Sequence, residues 1–369
     1  MSDERRADSE LVALAKRLIA YETCEPEAIA EAAGFVGGWL EARGIEARSD
    51  EVRGLPVVKA EVGPEGAPTV VLHGHLDVVP AHSDQFEPRL EGDRLYGRGA
   101  YDMKGAVAAM LVVTAAMRDQ DAVRVRLGIV GDEESEEEAE RGSDHLVDSG
   151  FLGDFAITGE PTDLHIGVEA KGVLWLRLEV DGTAAHGATP WLGDNAVLKA
   201  VDVFRSIESL PFARQSSELF DRPSINLGRI WGGDALNKVP DTCVIDVDIR
   251  YLPGQDPDAL LEQVRAMPGV SATALLMRPP ATVDRASPFV QGLREAAARQ
   301  ASDGETMSVG RDGASDVVSF LRAGVPAVEF GPVGAGHHGP EEWVSIPSLE
   351  GYRRALESFL TAVPERLGE

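Results

Sequence analysis

The stretch 67–79, APTVVLHGHLDVV, decides the fold. Its apolar run through Val70, Val71 and Leu72 exits into His73, His75 and Asp77, the pattern of a buried strand with a polar end. A helix is expected from Lys104 to about Arg118, rich in Ala, Val and Met, and then a strand alternating through Val123, Val125, Leu127 and Ile129. Another strand, Phe155 to Thr158, precedes Gly159-Glu160-Pro161-Thr162, and upstream a helical pattern runs from Leu11 to about Arg43, closing at Gly44. Strands alternating with helices predict an α/β domain with a mixed, mostly parallel sheet and helices on both faces. Polar clusters follow each strand, at the carboxyl ends where open α/β sheets gather ligands.

The rhythm changes near residue 171. Leu174, Leu176, Leu178 and Val180 alternate, as do Cys243, Ile245, Val247 and Ile249, and an amphipathic helix from Asn195 to about Leu210 lies between them. Strand, helix, strand, strand suggests a small α+β domain with a one-sided sheet. After Pro279-Pro280 the first rhythm resumes, with helices around 287–301 and 314–323, a strand from Val325 to Phe330 and a last helix from about Ser348. Residues 171–279 therefore read as a domain inserted into a larger one made of 1–170 and 280–369.

Composition excludes several classes. The 369 residues carry 62 acidic and 35 basic side chains, a formal charge of −27. Nucleic acid and anionic membrane surfaces would be repelled. No apolar run approaches the length of a membrane span, and the start, MSDERRADSE, lacks the apolar core of a signal peptide. Cys24 and Cys243 cannot build a disulfide framework, so a cytoplasmic protein is expected.

Five clusters carry the chemistry: His73-Gly74-His75-Leu76-Asp77; Gly97-Arg98-Gly99-Ala100-Tyr101-Asp102-Met103-Lys104-Gly105; Asp132-Glu133-Glu134; Glu160; and His337-His338-Gly339-Pro340-Glu341-Glu342. Singly, each has a plainer reading. His–x–Asp at a strand end is commonly a hydrogen-bonded pair, the acidic run Glu133 to Glu140 a solvated face, and His-His a polar loop. Jointly, imidazoles and carboxylates fall after successive strands of one sheet, in a chain with eight histidines. Two imidazoles and three carboxylates, without thiolate, make an N/O site suited to zinc, cobalt or manganese. Holding two cations about 3.5–4 Å apart requires a bridging carboxylate. His75 and Asp77 share a strand face, so Asp77 can orient the imidazole. Of the adjacent Glu133 and Glu134, one can bind metal while the other serves as general base.

These segments resemble the co-catalytic zinc amidohydrolases, a family that includes acetylornithine deacetylase, succinyl-diaminopimelate desuccinylase, aminoacylase and carboxypeptidase G. The matching stretches are HGHLDVVP, GRGAYDMKG, GDEE, GEPT, AAHGATPWLGDNA, NKVPDTC, DIRYLPG, GASD and HHGPEEWVSI, across nearly the whole chain. The resemblance implies a zinc exopeptidase-like catalytic domain and a lid and dimerisation domain. It assigns His75 and Glu160 to one metal, Glu134 and His338 to the other, Asp102 to the bridge, Asp77 to orienting His75 and Glu133 to the general base. His338 rather than His337 is implied by its spacing to Glu342-Trp343-Val344. His186 matches a histidine that reaches a partner subunit's active site and stabilises the oxyanion; a polar loop histidine is the plain alternative. Asn237 resembles a second substrate contact. Arg250 resembles an arginine pairing with a substrate carboxylate, against a strand-surface ion pair. Gly313 to Asp316 matches a loop lining the site, with Arg311 beside it as a further cation.

The implied reaction is hydrolysis of an N-acyl amino acid by a homodimer, with water bridging the two metals and Glu133 taking its proton. A dipeptidase or carboxypeptidase acting on short peptides is the alternative, and a non-catalytic metal- or metabolite-binding relative a third reading. Desuccinylases of the family carry an arginine pair where this chain has Ala170-Lys171, which puts a diacid substrate in doubt. Tyr101 and Ala100 also depart from the commoner Ser/Thr choices.

Overall fold

A computed structural model of the chain describes residues 9–135, 141–301 and 304–366. Most of the acidic run, Glu136, Glu137 and Glu138 included, lies outside the described residues. The chain divides into two compact units, one of residues 1–168, 283–309 and 316–369, the other of 169–282 and 310–315.

The larger unit is built on a mixed sheet. Its strands run in the order Ala47–Val52, Leu55–Val62, Arg124–Val130, Thr69–His75, Phe155–Thr158, Ala327–Glu329 and Ile166–Ala170. Pairing is parallel at the centre, where Thr69–His75 lies between Arg124–Val130 and Phe155–Thr158, and antiparallel at the flanks. Val70, Val71 and Leu72 are fully buried, as an uninterrupted apolar run in a central strand should be. The two sheet faces are told apart by glycines in adjacent register. A Cβ on Gly128 would meet Leu146 of the helix Gly142–Asp148 at 2.8 Å, whereas one on Gly74 would meet Val107 of the helix Lys104–Ala116 at 2.9 Å. His73 pairs with Gly128 and Gly74 with Ile129, so the two helices cover opposite faces. The register aligns the strand ends: His75 stands beside Val130, and His73 beside Thr158.

The structure differs from the sequence reading in two places here. The helical pattern from Leu11 to Arg43 is broken into Glu10–Ile19 and Pro26–Glu41. Pro26 has no N–H to continue a helix and starts the second one instead. The intervening turn is used for tertiary bonding, with Thr23 Oγ1 donating to Leu76 O and Thr23 O accepting from Val78 N. A small antiparallel sheet, Gly334–Ala335, Trp343–Ser345, Arg94–Tyr96 and Arg89–Glu91, was also unforeseen. Its strands are two or three residues long, too short to show a period.

The smaller unit is a four-stranded antiparallel sheet in the order Ser224–Gly232, Thr242–Tyr251, Gly172–Asp181, Val270–Arg278. Leu174, Leu176, Leu178, Cys243, Ile245, Val247 and Ile249 form its buried face, packed with residues of the helices Ala196–Ile207 and Pro257–Arg265. The other face is polar: Arg177 forms a two-pronged ion pair with Asp246, and Trp175 Nε1 donates to Asp248. Residues 310–315, which the sequence reading left in the larger domain, cluster with this unit. Lys171 N donates to Arg311 O, and Lys171 Nζ lies 2.7 Å from Asp312 Oδ1. Among the described residues no helix is long and apolar enough to cross a membrane.

Candidate metal centre

The carboxyl ends of the central strands bring the first-unit candidates together. His75, the last residue of its strand, is fully buried, with Nε2 3.4 Å from Asp102 Oδ1 and 3.7 Å from Glu160 Oε1. His338 Nε2 lies 2.9 Å from Glu134 Oε1 and 3.6 Å from the other oxygen of Asp102, Oδ2. Asp102 thus faces both histidines, one carboxylate oxygen each. Two ligand groups, His75–Asp102–Glu160 and Asp102–Glu134–His338, each have their donor atoms within 4.8 Å of one another, and they share Asp102. A third grouping, His75–Glu133–Glu134, puts Glu133 at the edge of the same space.

Asp77 touches both halves. Its carbonyl, 3.0 Å from His75 Nδ1, is nearer than its Oδ1 at 3.5 Å, and its Oδ2 accepts from Glu134 N at 2.8 Å. The imidazole is therefore oriented with its Nε2 toward Asp102 and Glu160.

Backbone detail sets the remaining ligands. Asp102 lies in the turn before the helix Lys104–Ala116, and Glu342 Oε1 accepts from Tyr101 N and Asp102 N at 3.0 and 3.1 Å. Glu342 Oε2 is held by Arg98 Nη1 at 2.6 Å, with both side chains buried. One ion pair thus joins the Asp102 turn to the segment that carries His338. Glu160 follows the strand Phe155–Thr158, and Gly331 packs so closely that a Cβ there would lie 2.2 Å from Glu160 O. Tyr101 OH donates to Asp163 at 2.8 Å and its ring meets His337 edge-on. That accounts for the tyrosine, and His337 packs rather than faces the ligands named above.

The donor set fits divalent cations. His75 Nε2, Asp102 Oδ1 and Glu160 Oε1 are buried without a hydrogen-bond partner, and all three converge on one point. Orphaned buried polar atoms are costly unless an ion satisfies them. Proton affinities register the same crowding. Burial pushes Glu133 up to about 8, and burial together with Asp102 pushes Glu160 well above the usual carboxylate range. Asp102 and Glu134 lift His338 to about 10. Burial would lower His75, but Asp102, Asp77 and Glu160 outweigh it and raise the imidazole well above its ordinary value.

Three residues unnamed or underrated in the sequence reading belong to this neighbourhood. Arg141 Nη1 donates to Glu133 O at 2.8 Å and Nη2 to Ser135 O at 3.0 Å. Asp316, expected as part of a lining loop, is buried 3.6 Å from Arg141. Arg98 reaches Glu342 across 244 positions. A lone arginine after an acidic run, or within a glycine turn, carries no local signal for such contacts.

The other candidates lie in the smaller unit. His186 and Asn237 are exposed and adjacent: His186 bridges Lys238, and Gly187 N donates to Asn237 O at 2.7 Å. His186 Nδ1 accepts from Ala188 N, which leaves the ring proton on Nε2. Arg250 Nε donates to both oxygens of Asp248, at 2.9 and 3.1 Å. Arg311 is half-buried, in the segment tied to Lys171.

The model of peptidase family M20/M25/M40 matches residues 71–362. A succinyl-diaminopimelate desuccinylase of Erythrobacter litoralis is 31% identical, covering 96% of this chain and all of that one. Another, from Gluconobacter oxydans, is 31% identical over 95% of this chain and 96% of its own. Among solved structures, an M20-family metallo-carboxypeptidase from Sulfolobus solfataricus superposes with a TM-score of 0.79 at 20% identity, over 97% of this chain and all of that one. An aminopeptidase from Bacillus cereus gives 0.79 at 19% over the full length of both. The family match, the relatives and the fold show that this chain belongs to peptidase family M20/M25/M40 and is a metal-dependent hydrolase of amide bonds.

Proposed function

We propose that the protein hydrolyses the amide bond of an N-acyl amino acid, with two zinc ions in the paired site and Glu133 as general base. The observation that carries this reading is the pair of N/O ligand groups sharing Asp102, with Glu133 beside them and outside both. Divalent cations held there would supply Lewis acidity to acidify water and polarise a carbonyl. His75 and Glu160 would hold one ion and Glu134 and His338 the other, with Asp102 facing both histidines. Asp77 fixes the tautomer of His75 through its contacts at Nδ1. Glu133 takes a proton from the attacking water and passes it to the leaving amine.

His186, with its proton on Nε2, is the proposed oxyanion donor from a partner subunit, and Asn237 beside it a second contact. A homodimer is supported by the apolar surface of the smaller unit. Trp231 on the edge strand Ser224–Gly232 is 47% exposed and Leu198 on the helix Ala196–Ile207 65%. An unpaired edge beside exposed apolar groups is a usual place for association. Arg250 and Arg311 are proposed carboxylate contacts; Arg250 would have to release Asp248 to serve. Two unpaired cysteines suit a reducing, cytoplasmic setting.

The similar proteins named as desuccinylases favour a small acylated amino acid as substrate. Lys171, by contrast, is neutralised by Asp312 and also donates to Arg222 O, so it offers little to a second substrate carboxylate. A panel of acetyl, succinyl and aminoacyl derivatives tests the reading on metal-loaded protein. Chelation should abolish turnover, and zinc or cobalt should restore it. Glu133→Gln should abolish turnover with metal content retained; near-parental turnover in that variant would overturn the assignment.

A further inference from the structure

Two glutamates in sequence, Glu133 and Glu134, have to do different work one residue apart. The turn that carries them is held at three backbone points. Arg141 Nη1 donates to Glu133 O, Arg141 Nη2 donates to Ser135 O, and Glu134 N donates to Asp77 Oδ2. One guanidinium therefore spans Glu134 from both sides, using the fixed fork of its donors. The same Nη1 lies 4.0 Å from Glu133 Oε1 and 3.6 Å from Asp316 Oδ1. Asp316 is buried and in turn lies 3.7 Å from Nε2 of the fully buried His73, which otherwise packs on Phe320. Glu134 finds its partner in His338 at 2.9 Å, whereas the Glu133 carboxylate has Arg141 Nη1 at 4.0 Å and His75 within 4.8 Å.

We propose that Arg141, backed by Asp316 and His73, is the positioning residue that separates the roles of the two glutamates, holding the Glu133 carboxylate clear of the metals and aligned for proton transfer. This rests on the reading of Glu133 as the base. Arg141 touches neither substrate nor metal; it acts through the turn and the carboxylate. Positioning groups behind a metal site are typically worth 10–100-fold in affinity or activity. If Arg141 served the ligand Glu134, that loss would appear in metal binding. If it serves Glu133, the loss falls on kcat alone.

The test compares Arg141→Met, Arg141→Lys and Asp316→Asn in the full-length, metal-loaded protein. For Arg141→Met the expected result is a fall in kcat of about 10–100-fold with KM within about twofold. Metal stoichiometry and affinity by calorimetry, and the visible spectrum of the cobalt-loaded protein, should match the parent. Arg141→Lys keeps the charge but not the fork, and should recover part of the loss. Should Arg141→Met not fold, Asp316→Asn decides the matter, since it removes the backing carboxylate and leaves the guanidinium in place; about a tenfold loss of kcat with an unchanged cobalt spectrum is expected. A kcat within twofold of parent, or a changed cobalt spectrum with weakened metal binding, overturns the proposal. Glu133→Gln measured in parallel separates the two claims. If it keeps its turnover the general-base reading fails; if it is dead while Arg141→Met is unimpaired, only the positioning role fails.

Discussion

The ion pair between Arg98 and Glu342 should be the costliest single point of failure around the metals. Its side chains are only 3% and 1% exposed, and its N–O separation is 2.6 Å. Glu342→Gln preserves volume and one acceptor oxygen but leaves the guanidinium buried without its counter-charge. Removing one partner of such a pair costs about 3–5 kcal/mol. Glu342→Ala should cost more, because Tyr101 N and Asp102 N lose their acceptor as well, and charge-assisted bonds of that kind contribute about 1.5–3 kcal/mol each. The structural consequence is specific. Asp102 faces both histidines, so displacing its turn should weaken both ions together, whereas a lesion at Glu160 or His338 should weaken one. Hydrogen exchange over residues 97–105 reads the loss of stability, and calorimetric metal titration reads the two affinities. Arg98→Met combined with Glu342→Gln should cost less than the sum of the single variants, since neither residue then lacks a partner it had alone. Losses below about 1 kcal/mol in both single variants would place this pair among ordinary surface ion pairs and refute the reasoning.

Three further outcomes are expected. Gly331→Ala sets a Cβ against the carbonyl of Glu160, so metal titration should find the His75–Asp102–Glu160 ion weakened and the His338 ion retained; equal loss of both would count against it. Loading metal at pH 7 should release protons, because His338, raised to about 10, and Glu160, raised by burial, are protonated before cations arrive. Affinity should therefore climb with pH toward about 10, and the calorimetric heat should depend on the buffer's ionisation enthalpy; buffer-independent heat would contradict it. Trp231→Asp with Leu198→Glu, both on the exposed apolar surface, should convert a dimer to monomer by light scattering with the melting temperature little changed. An unchanged dimer would mean that association uses another surface.

What was legible in the sequence follows from how far each interaction reaches. The central strand announced itself because Val70 to Leu72 are buried on both sides, and the candidate ligands because His75, Glu134 and Glu160 follow strands in order along the chain. Long-range partners left no such trace. Arg98 and Glu342 lie 244 positions apart, and nothing near Arg141 in sequence distinguishes a solvated arginine from one gripping the Glu133 turn. Local sequence is equally silent on the lysines: Lys104 proves buried, with Nζ donating to Tyr21 O at 2.8 Å. Lys238 proves a turn staple between Asp234 and Asp241. Arg250, balanced between a substrate carboxylate and a strand ion pair, sits in the ion pair with Asp248.

Charge compensation explains why the candidate ligands, the proposed base and the neighbouring arginines have to be considered together. Asp77, Asp102, Glu133, Glu134 and Glu160 crowd the ends of three strands, with Asp132 and Asp316 close behind them. Burial penalises Glu133 and Glu160 as anions. The cations that the fold supplies are committed elsewhere. Arg98 is neutralised by Glu342, Arg141 is divided between Asp316 and the Glu133 turn, and burial pushes Lys104 down to about 7. His73, fully buried, is held down at about 4 by that burial and is neutral. The ligand carboxylates are thus left with histidine protons or with external cations as their counter-charge. Two divalent ions would replace those protons and satisfy the orphaned oxygens at once. The arrangement also sets Glu133 apart from the other crowded glutamates: besides His75 it has an arginine of the fold, Arg141, at 4.0 Å.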